Sequence, residues 1–414
     1  MKKLLLTALF FLLMANPTYA WWDTEFTKRA NITIDNSQNN NSFIGLQIPV
    51  NISYDSDMQS DFGDLRFTWY NSSDATETEI PYFIESKADN QWAYLWMKVK
   101  EVTGSSYETV YLYYSNATAT TTGNPNTTFE FYDDFSTSFD YEKWNVTTKD
   151  AGCNNIVSDG LLNLTCIAPT PSYIEVYIES KAGQFAPYYT PMRAEWRMWA
   201  NDTKMTSSVH NYNRWVNDTN AGVWNTFRFG SYTTYKARLV WYNNNTDVEH
   251  DLDINPYDGS WHTYEMLIRP DNATLLYDGS IPTDSNGTSS VNVPDDPDDW
   301  FDYAEFSVRV YDSNATLSYD YFKARKWAEP EPLYALGSEE TYMPPTTTTT
   351  TLFPPKVTVP LVSPLIGLIM GAGALLFIAR AFLSEMPSSP EDLIKTFLVI
   401  MIILSVLGFV LTIV

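Results

Sequence analysis

The side chains best suited to chemistry lie in Glu249-His250-Asp251-Leu252-Asp253. Successive side chains of a strand point to opposite faces, so Glu249, Asp251 and Asp253 share one. Two carboxyl groups about 5 Å apart are the machinery of retaining glycoside hydrolysis, one as nucleophile and the other as acid and base. The competing assignment is a solvated strand end ahead of the turn Asn255-Pro256-Tyr257-Asp258-Gly259. A second carboxylate set suits calcium, which takes hard oxygen ligands. Asp133 and Asp134 open a β-rich region and Asp320 sits in its closing strand, where a sandwich would bring them together. The alternative is that Asp133 and Asp134 only cap a loop. His210, His250 and His262 have no zinc-site spacing. The run Asp295-Asp296-Pro297-Asp298-Asp299 fits a solvated loop. Trp199, Trp215, Tyr242 and Tyr311 offer flat faces for stacking on sugar rings, although aromatics in a sandwich more often fill its core. No Ser or Cys nucleophile motif, phosphate loop or dinucleotide fingerprint is present.

The elements that must position these groups alternate apolar and polar residues, the period of a half-buried strand. Leu46, Ile48, Val50 and Ile52 form one such set, and Leu65, Phe67 and Trp69 another. Ala93, Leu95, Met97 and Val99 follow, then Val110, Leu112 and Tyr114. Farther on, Ala194, Trp196 and Met198, and then Ala304, Phe306, Val308 and Val310, are expected to face a core. Short strands with turn residues between them predict an all-β exported part of two β-sandwich modules, 21–128 and 129–340. Cys153 and Cys166 flank Asp159-Gly160, the favoured dipeptide of a two-residue hairpin turn. Counting outward pairs Ser158 with Leu161 and Cys153 with Cys166 at a non-hydrogen-bonded position, close enough for a disulfide. Val157, Leu162 and Leu164 then share the cysteine face, and Asn163 the other.

The segments WWDTEFTKRANITIDNS, LQIPV, DFGDLRFT, IPYFIES, LWMKVKEV, VYLYYSNATA and FEFYDDF occur in order over nearly all of residues 21 to 135. This stretch resembles the prokaryotic and archaeal surface module known as domain of unknown function 2341. Phe83 stands where that family usually has Trp, and Ser115 where it has Gly. The resemblance implies a β-rich extracellular module of an archaeal-type surface protein and brings no chemistry with it. GSWHTYEMLIRPDNATLLYDGS resembles the strand–turn–strand of concanavalin A-like lectins and glucanases. YDYFKARKWAEPEPLYALGSEE resembles the closing strand that follows domain 2341 modules. A concanavalin A-like sandwich is therefore expected for 129–340. Glucanases of that fold carry Glu-x-Asp-x-(x)-Glu on one strand. Here Asp253 stands for the last Glu, and the His-Thr-Tyr strand follows sooner than in those enzymes.

Lys2 and Lys3 ahead of an apolar stretch, then Thr18-Tyr19-Ala20, predict a signal peptide over 1–20. Two uncharged apolar runs, 357–379 and 396–414, are each long enough to cross a bilayer. The loop 380–395 is then cytoplasmic. Gly367 and Gly371 have the spacing at which another membrane helix can approach closely. Pro344-Pro345, the threonines 346–351 and Pro354-Pro355 make 341–356 an extended stalk. Sequons begin at Asn31, Asn40, Asn51, Asn71, Asn116, Asn126, Asn145, Asn163, Asn201, Asn217, Asn244, Asn272, Asn286 and Asn314, all in the exported part. A formal charge of −24 with no basic cluster before the membrane argues against nucleic acid as a partner. The expected protein is a cell-membrane glycoprotein, two-pass, that binds glycans or envelope components without necessarily being an enzyme. The alternatives are a tethered glycoside hydrolase and an ectodomain-bearing subunit of a membrane complex.

Overall fold

The computed structural model describes residues 21–168, 172–181, 191–202, 210–216, 223–229, 237–243, 246–269, 272–284, 292–294, 303–311 and 314–344. For 202, 210–216, 223–229, 238–243, 246–249, 292–294 and 303 it describes the backbone. The signal peptide, most of the stalk, both apolar runs, Gly367, Gly371 and the sequons at Asn217, Asn244 and Asn286 lie outside the described residues. Among the described residues no helix is long and apolar enough to cross a membrane. The described residues, all between Trp21 and Pro344, form one compact unit.

The first module holds β1 (Lys28–Asp35), β2 (Phe43–Ser53), β3 (Arg66–Asn71), β4 (Thr76–Glu79), β5 (Tyr82–Ala88), β6 (Trp92–Val102) and β7 (Tyr107–Tyr114). A short helical turn, α1 (Pro125–Thr128), leads out of it, capped by the Asn124 side chain. One sheet runs β1-β7-β3-β4 and the other β2-β6-β5. The alternation sets the packing: Leu46, Ile48, Val50 and Ile52 meet Ile32, Phe67, Leu95, Val110 and Leu112 in one core. Burial of these aliphatic and aromatic side chains, each about 1.5–3 kcal/mol, holds the two sheets face to face.

The second module begins with β8 (Phe131–Asp133), β9 (Trp144–Lys149), β10 (Cys153–Ser158), β11 (Leu161–Ile167), β12 (Tyr173–Ser180) and β13 (Met192–Asp202). It continues with β14 (His210–Val216), β15 (Val223–Phe229), β16 (Ala237–Asn243), β17 (Thr246–Leu252), β18 (Trp261–Ile268) and β19 (Asn272–Tyr277). The strands β20 (Asn292–Pro294), β21 (Tyr303–Tyr311) and β22 (Asn314–Lys326) complete it. One sheet has the order β10-β11-β22-β13-β18-β19-β20, with β8 also on β22, and the other β17-β16-β15-β14-β21-β12-β9. Ala194, Trp196 and Met198 from the first meet Ala304, Phe306, Val308 and Val310 from the second in a shared core, as their alternation predicts. Cys153 and Cys166 are directly opposite on β10 and β11, with Cα atoms 4.1 Å apart, and are disulfide-bonded. Asp159 and Gly160 both have positive φ, which the two-residue turn between these strands requires.

The chain ends of the modules differ from the boundary at residue 340. The last strand, β23 (Leu333–Thr341), pairs antiparallel with β1 and extends the first module's sheet. Ala328 is already in the first module's core. Without β23 the open edge of β1 would leave its N–H and C=O groups unpaired, and local alternation says nothing about which edge a late strand will choose. The second sandwich is thus an excursion between β7 and β23 of the first.

Charged residues fill the seam between them. Lys323 and Arg325 on β22 are buried against Trp96 of β6, with Lys323 Nζ 5.3 Å and the Arg325 guanidinium 4.8 Å from the Trp96 ring. Lys323 pairs with Glu85 and Glu195, and Arg325 with Glu331. Glu85 also accepts from Trp96 Nε1 at 2.9 Å. Gln47, on the polar side of β2, is buried here because its amide donates to the Thr128 carbonyl and accepts from Lys326 N–H.

Candidate functional site

The carboxylate row of the sequence is only partly a row. Glu249 and Asp251 sit on β17, the edge strand of its sheet, opposite Val240 and Arg238. Leu252 between Asp251 and Asp253 turns into the core. Asp253 has left the strand, and its N–H donates to the Thr283 carbonyl. The shared face therefore ends at Asp251, and the side chain of Glu249 lies outside the described residues.

The calcium trio is not assembled either. Asp133 is buried, and its Oδ2 accepts from Trp144 Nε1 at 2.8 Å and its Oδ1 from Phe135 N–H at 2.9 Å. Burial pushes its pKa up, against these two bonds and the nearby Lys143. Asp134 is exposed and accepts from Ser136 N–H. Asp320 accepts from Arg197 at 2.8 Å. The cause is a bulge: Arg197 pairs with Tyr321 and Met198 with Tyr319, so Asp320 is the extra residue. Among the described residues, the carboxylates close enough to share an ion are Asp55, Asp57 and Glu339. Lys28 already serves two of them, 3.1 Å from Asp57 and in contact with Glu339.

The four aromatic candidates separate. Trp199 lies on the outer face of β13, directly opposite Trp261 of β18. Its Nε1 donates to the Gly259 carbonyl at 3.0 Å. The Arg197 guanidinium stands 5.2 Å from the Trp261 ring and is fixed by Asp320. Thr263 and Tyr321 flank Arg197 in register, and Ser318, opposite Trp199, donates to Asn163. This end of the sheet face is open, whereas the other end is the charged seam. Tyr311 lies on the other sheet, 4.8 Å from Tyr173, with Arg309 over the Tyr173 ring and near Glu175. Trp199 and Tyr311 thus belong to opposite outer faces. Trp215 pairs in register with the core residue Ala304, and Tyr242 with Trp224; the side chains of both lie outside the described residues.

His262 braces the turn beneath Trp199. Its Nδ1 is 2.7 Å from Asp278 and its Nε2 3.0 Å from Asp258. Burial opposes the charge, but the hydrogen bonds that His262 donates to Asp278 and Asp258 outweigh it and hold the imidazole above the ordinary histidine value. The sequon Asn116 is buried, its Oδ1 accepting from Thr118, which makes it poorly placed for a glycan. Sequence reasoning missed Trp261 and Tyr173 as site residues, because each joins the candidates only through pairing between strands distant in the chain. Alternation does put Arg197 on the Trp199 face, but its contact with Trp261 depends on the same pairing. It also missed Glu179 and Glu305, directly opposite each other on β12 and β21.

Residues 61–147 match the family described as domain of unknown function DUF2341. No curated protein matches the chain. Among solved structures, one chain reported with the endo-acting O-glycanases of prominent human gut microbiota members is 12% identical, over 48% of this chain and 99% of that one, with a TM-score of 0.39. The endo-β-1,3-glucanase of Pyrococcus furiosus is 12% identical over 48% of this chain and 95% of its own, with a TM-score of 0.37. The laminarinase catalytic domain of Thermotoga petrophila RKU-1 is 10% identical over 48% of this chain and 97% of its own, with a TM-score of 0.35. The chain is thus similar to DUF2341 over residues 61–147 and, across about half its length, to these glucanase structures.

Proposed function

We propose that this chain is a membrane-anchored, glycosylated surface protein that binds glycans or other envelope components. The observation that carries the binding reading is the open end of the β13–β18–β22 face. Two tryptophans side by side, a fixed guanidinium and the hydroxyl of Thr263 combine ring-stacking surface with hydrogen-bonding groups, the chemistry a saccharide needs. The signal peptide over 1–20 and the apolar runs 357–379 and 396–414 support display on the outside of the membrane. A glycan array probed with the full chain in detergent tests the binding. Wild type should retain a set of glycans that Trp199→Ala and Trp261→Ala each lose; equal retention by all three would refute the assignment.

A second reading, glycoside hydrolysis, has one observation in its favour. Glu179 and Glu305 are directly opposite on neighbouring strands, where Cβ atoms lie about 5 Å apart. Retaining hydrolysis uses carboxyl groups about 5–5.5 Å apart. Release of reducing ends from oligosaccharides by wild type but not by Glu305→Gln would favour it. Binding without turnover excludes it.

A further inference from the structure

Three stretches far apart in the first module, 59–63, 83–87 and 119–123, converge on one cleft. Its volume is about 660 Å³, within the range of small-ligand sites. The floor is β5 from Phe83 to Lys87, and the walls are the loops around Asp61 and Thr120. The walls are tied together from beneath. Asp64, fully buried, accepts from the N–H groups of Gln59, Ser115 and Asn116. The Gln59 amide donates to the carbonyls of Asn116 and Ala119, and Arg66 donates to the Thr120 carbonyl. Phe62, at the base of one wall, is held at a φ of 60° with its ring fully buried. That conformation is costly for a bulky residue and persists only where its surroundings over-determine it. The cleft is therefore rigid before anything enters it.

The chemistry of the lining selects the occupant. β5 is the edge strand of the β2-β6-β5 sheet, which by itself would invite an added peptide strand. Two features blunt that edge. The β5–β6 register shifts between Ile84 and Ser86, so Glu85 is bulged out of the ladder. Lys87 is spent on the Asp61 carbonyl and on Asp89. Bulges and edge lysines are devices against strand addition, and bulges also re-aim side chains beside sites. What faces the cleft is an aromatic ring, Phe83, half-buried against Phe129 and Tyr132, with the hydroxyls of Ser86, Thr120 and Thr121 and the Asp61 carboxylate around it. One apolar ring surface among hydroxyl and carboxylate groups matches a sugar ring, whose C–H face is apolar and whose rim is hydroxyl. We propose that this cleft is a second saccharide site, which takes a short neutral oligosaccharide independently of the Trp199 face.

The test uses the full chain in detergent on a glycan array, with each retained glycan titrated against wild type, Ser86→Tyr, Ser86→Ala and Trp199→Ala. Ser86 is exposed, so a tyrosine there fills the cleft without entering the core. The expected result is a glycan whose affinity falls at least about tenfold in Ser86→Tyr, a difference of about 1.4 kcal/mol. Ser86→Ala and Trp199→Ala should keep it, with the melting temperature unchanged in Ser86→Tyr. If Ser86→Tyr holds every wild-type glycan, if wild type holds none, or if all retained glycans depend on Trp199 alone, the cleft is not a saccharide site. Loss of binding in Trp199→Ala alone would leave the reading of the second sandwich standing while overturning this one.

Discussion

The two sandwiches use buried polar groups in different ways. In the first, Asp64, Gln59 and Arg66 sit beneath loops and fasten the walls of a cleft. In the second, Lys323, Arg325 and Glu195 lie on a sheet face and fasten one module to the other, while the free end of the same face carries Trp199 and Trp261. A buried carboxylate that accepts several backbone N–H groups fixes local shape. A buried ion pair between elements fixes their relative placement, at a desolvation cost that makes it weak as a source of stability. The first sandwich is therefore expected to be rigid where it would bind, and the second to be rigid where it docks.

The largest effect that sharpens this contrast is expected at Asp64. Asp64→Ala strips the partner from three buried or half-buried N–H groups and should cost about 4 kcal/mol or more. Hydrogen exchange should accelerate first at 59–66 and 115–121, with β18 and β22 little affected. Uniform acceleration across both modules would break the distinction. Next comes Lys323→Ala, which leaves Glu85 and Glu195 partly buried without their cation and should cost about 3 kcal/mol. Lys323→Met should recover only the packing part of that loss, because it too leaves both carboxylates without their cation. Chemical denaturation of both variants checks this. Replacing both Cys153 and Cys166 with Ala opens a loop of sequence separation 13 and should cost about 2–3 kcal/mol, confined to the second sandwich.

The smallest effect is in pH. His262 has a folded-state pKa raised by Asp278 and Asp258 against the opposing influence of burial. A raised value means the protonated form is favoured by folding. Its contribution is fully present below the ordinary histidine value of 6.5 and fades as pH rises through the raised folded value. The Tm of the second sandwich should drift down over that window. His262→Gln should flatten the drift, and an equal drift in the variant would assign it to other groups.

Much of the fold is legible in the sequence because burial repeats every second residue. Leu46 to Ile52, Ala93 to Val99 and Ala304 to Val310 each face the core as their alternation requires. The disulfide was equally legible, because Asp159-Gly160 fixes the register locally. What failed depends on pairing across long stretches of chain. The choice of β1 by β23 is one case, for no local pattern distinguishes one sheet edge from another. Asp320 is another: a single bulge in β22 turns it to Arg197, and alternation cannot anticipate an extra residue. The Trp199–Trp261 pair joins strands some sixty residues apart, as the register of β13 against β18 shows, so neither tryptophan announces the other. The first-module cleft was hidden for the same reason: the quoted motifs touch its lining at Asp61, Phe83 to Ser86 and Ala119, but nothing in them brings these together.

Binding of saccharide through built surfaces of the sandwiches can be read out by hydrogen exchange on the full chain. The measurement compares the free protein with the protein saturated by the glycan it retains most tightly on the array. Slowed exchange is expected at 83–87 and 119–123, or at 197–201 and 259–263, according to which site that glycan occupies. Bound glycan with slowed exchange at neither pair of segments would contradict it.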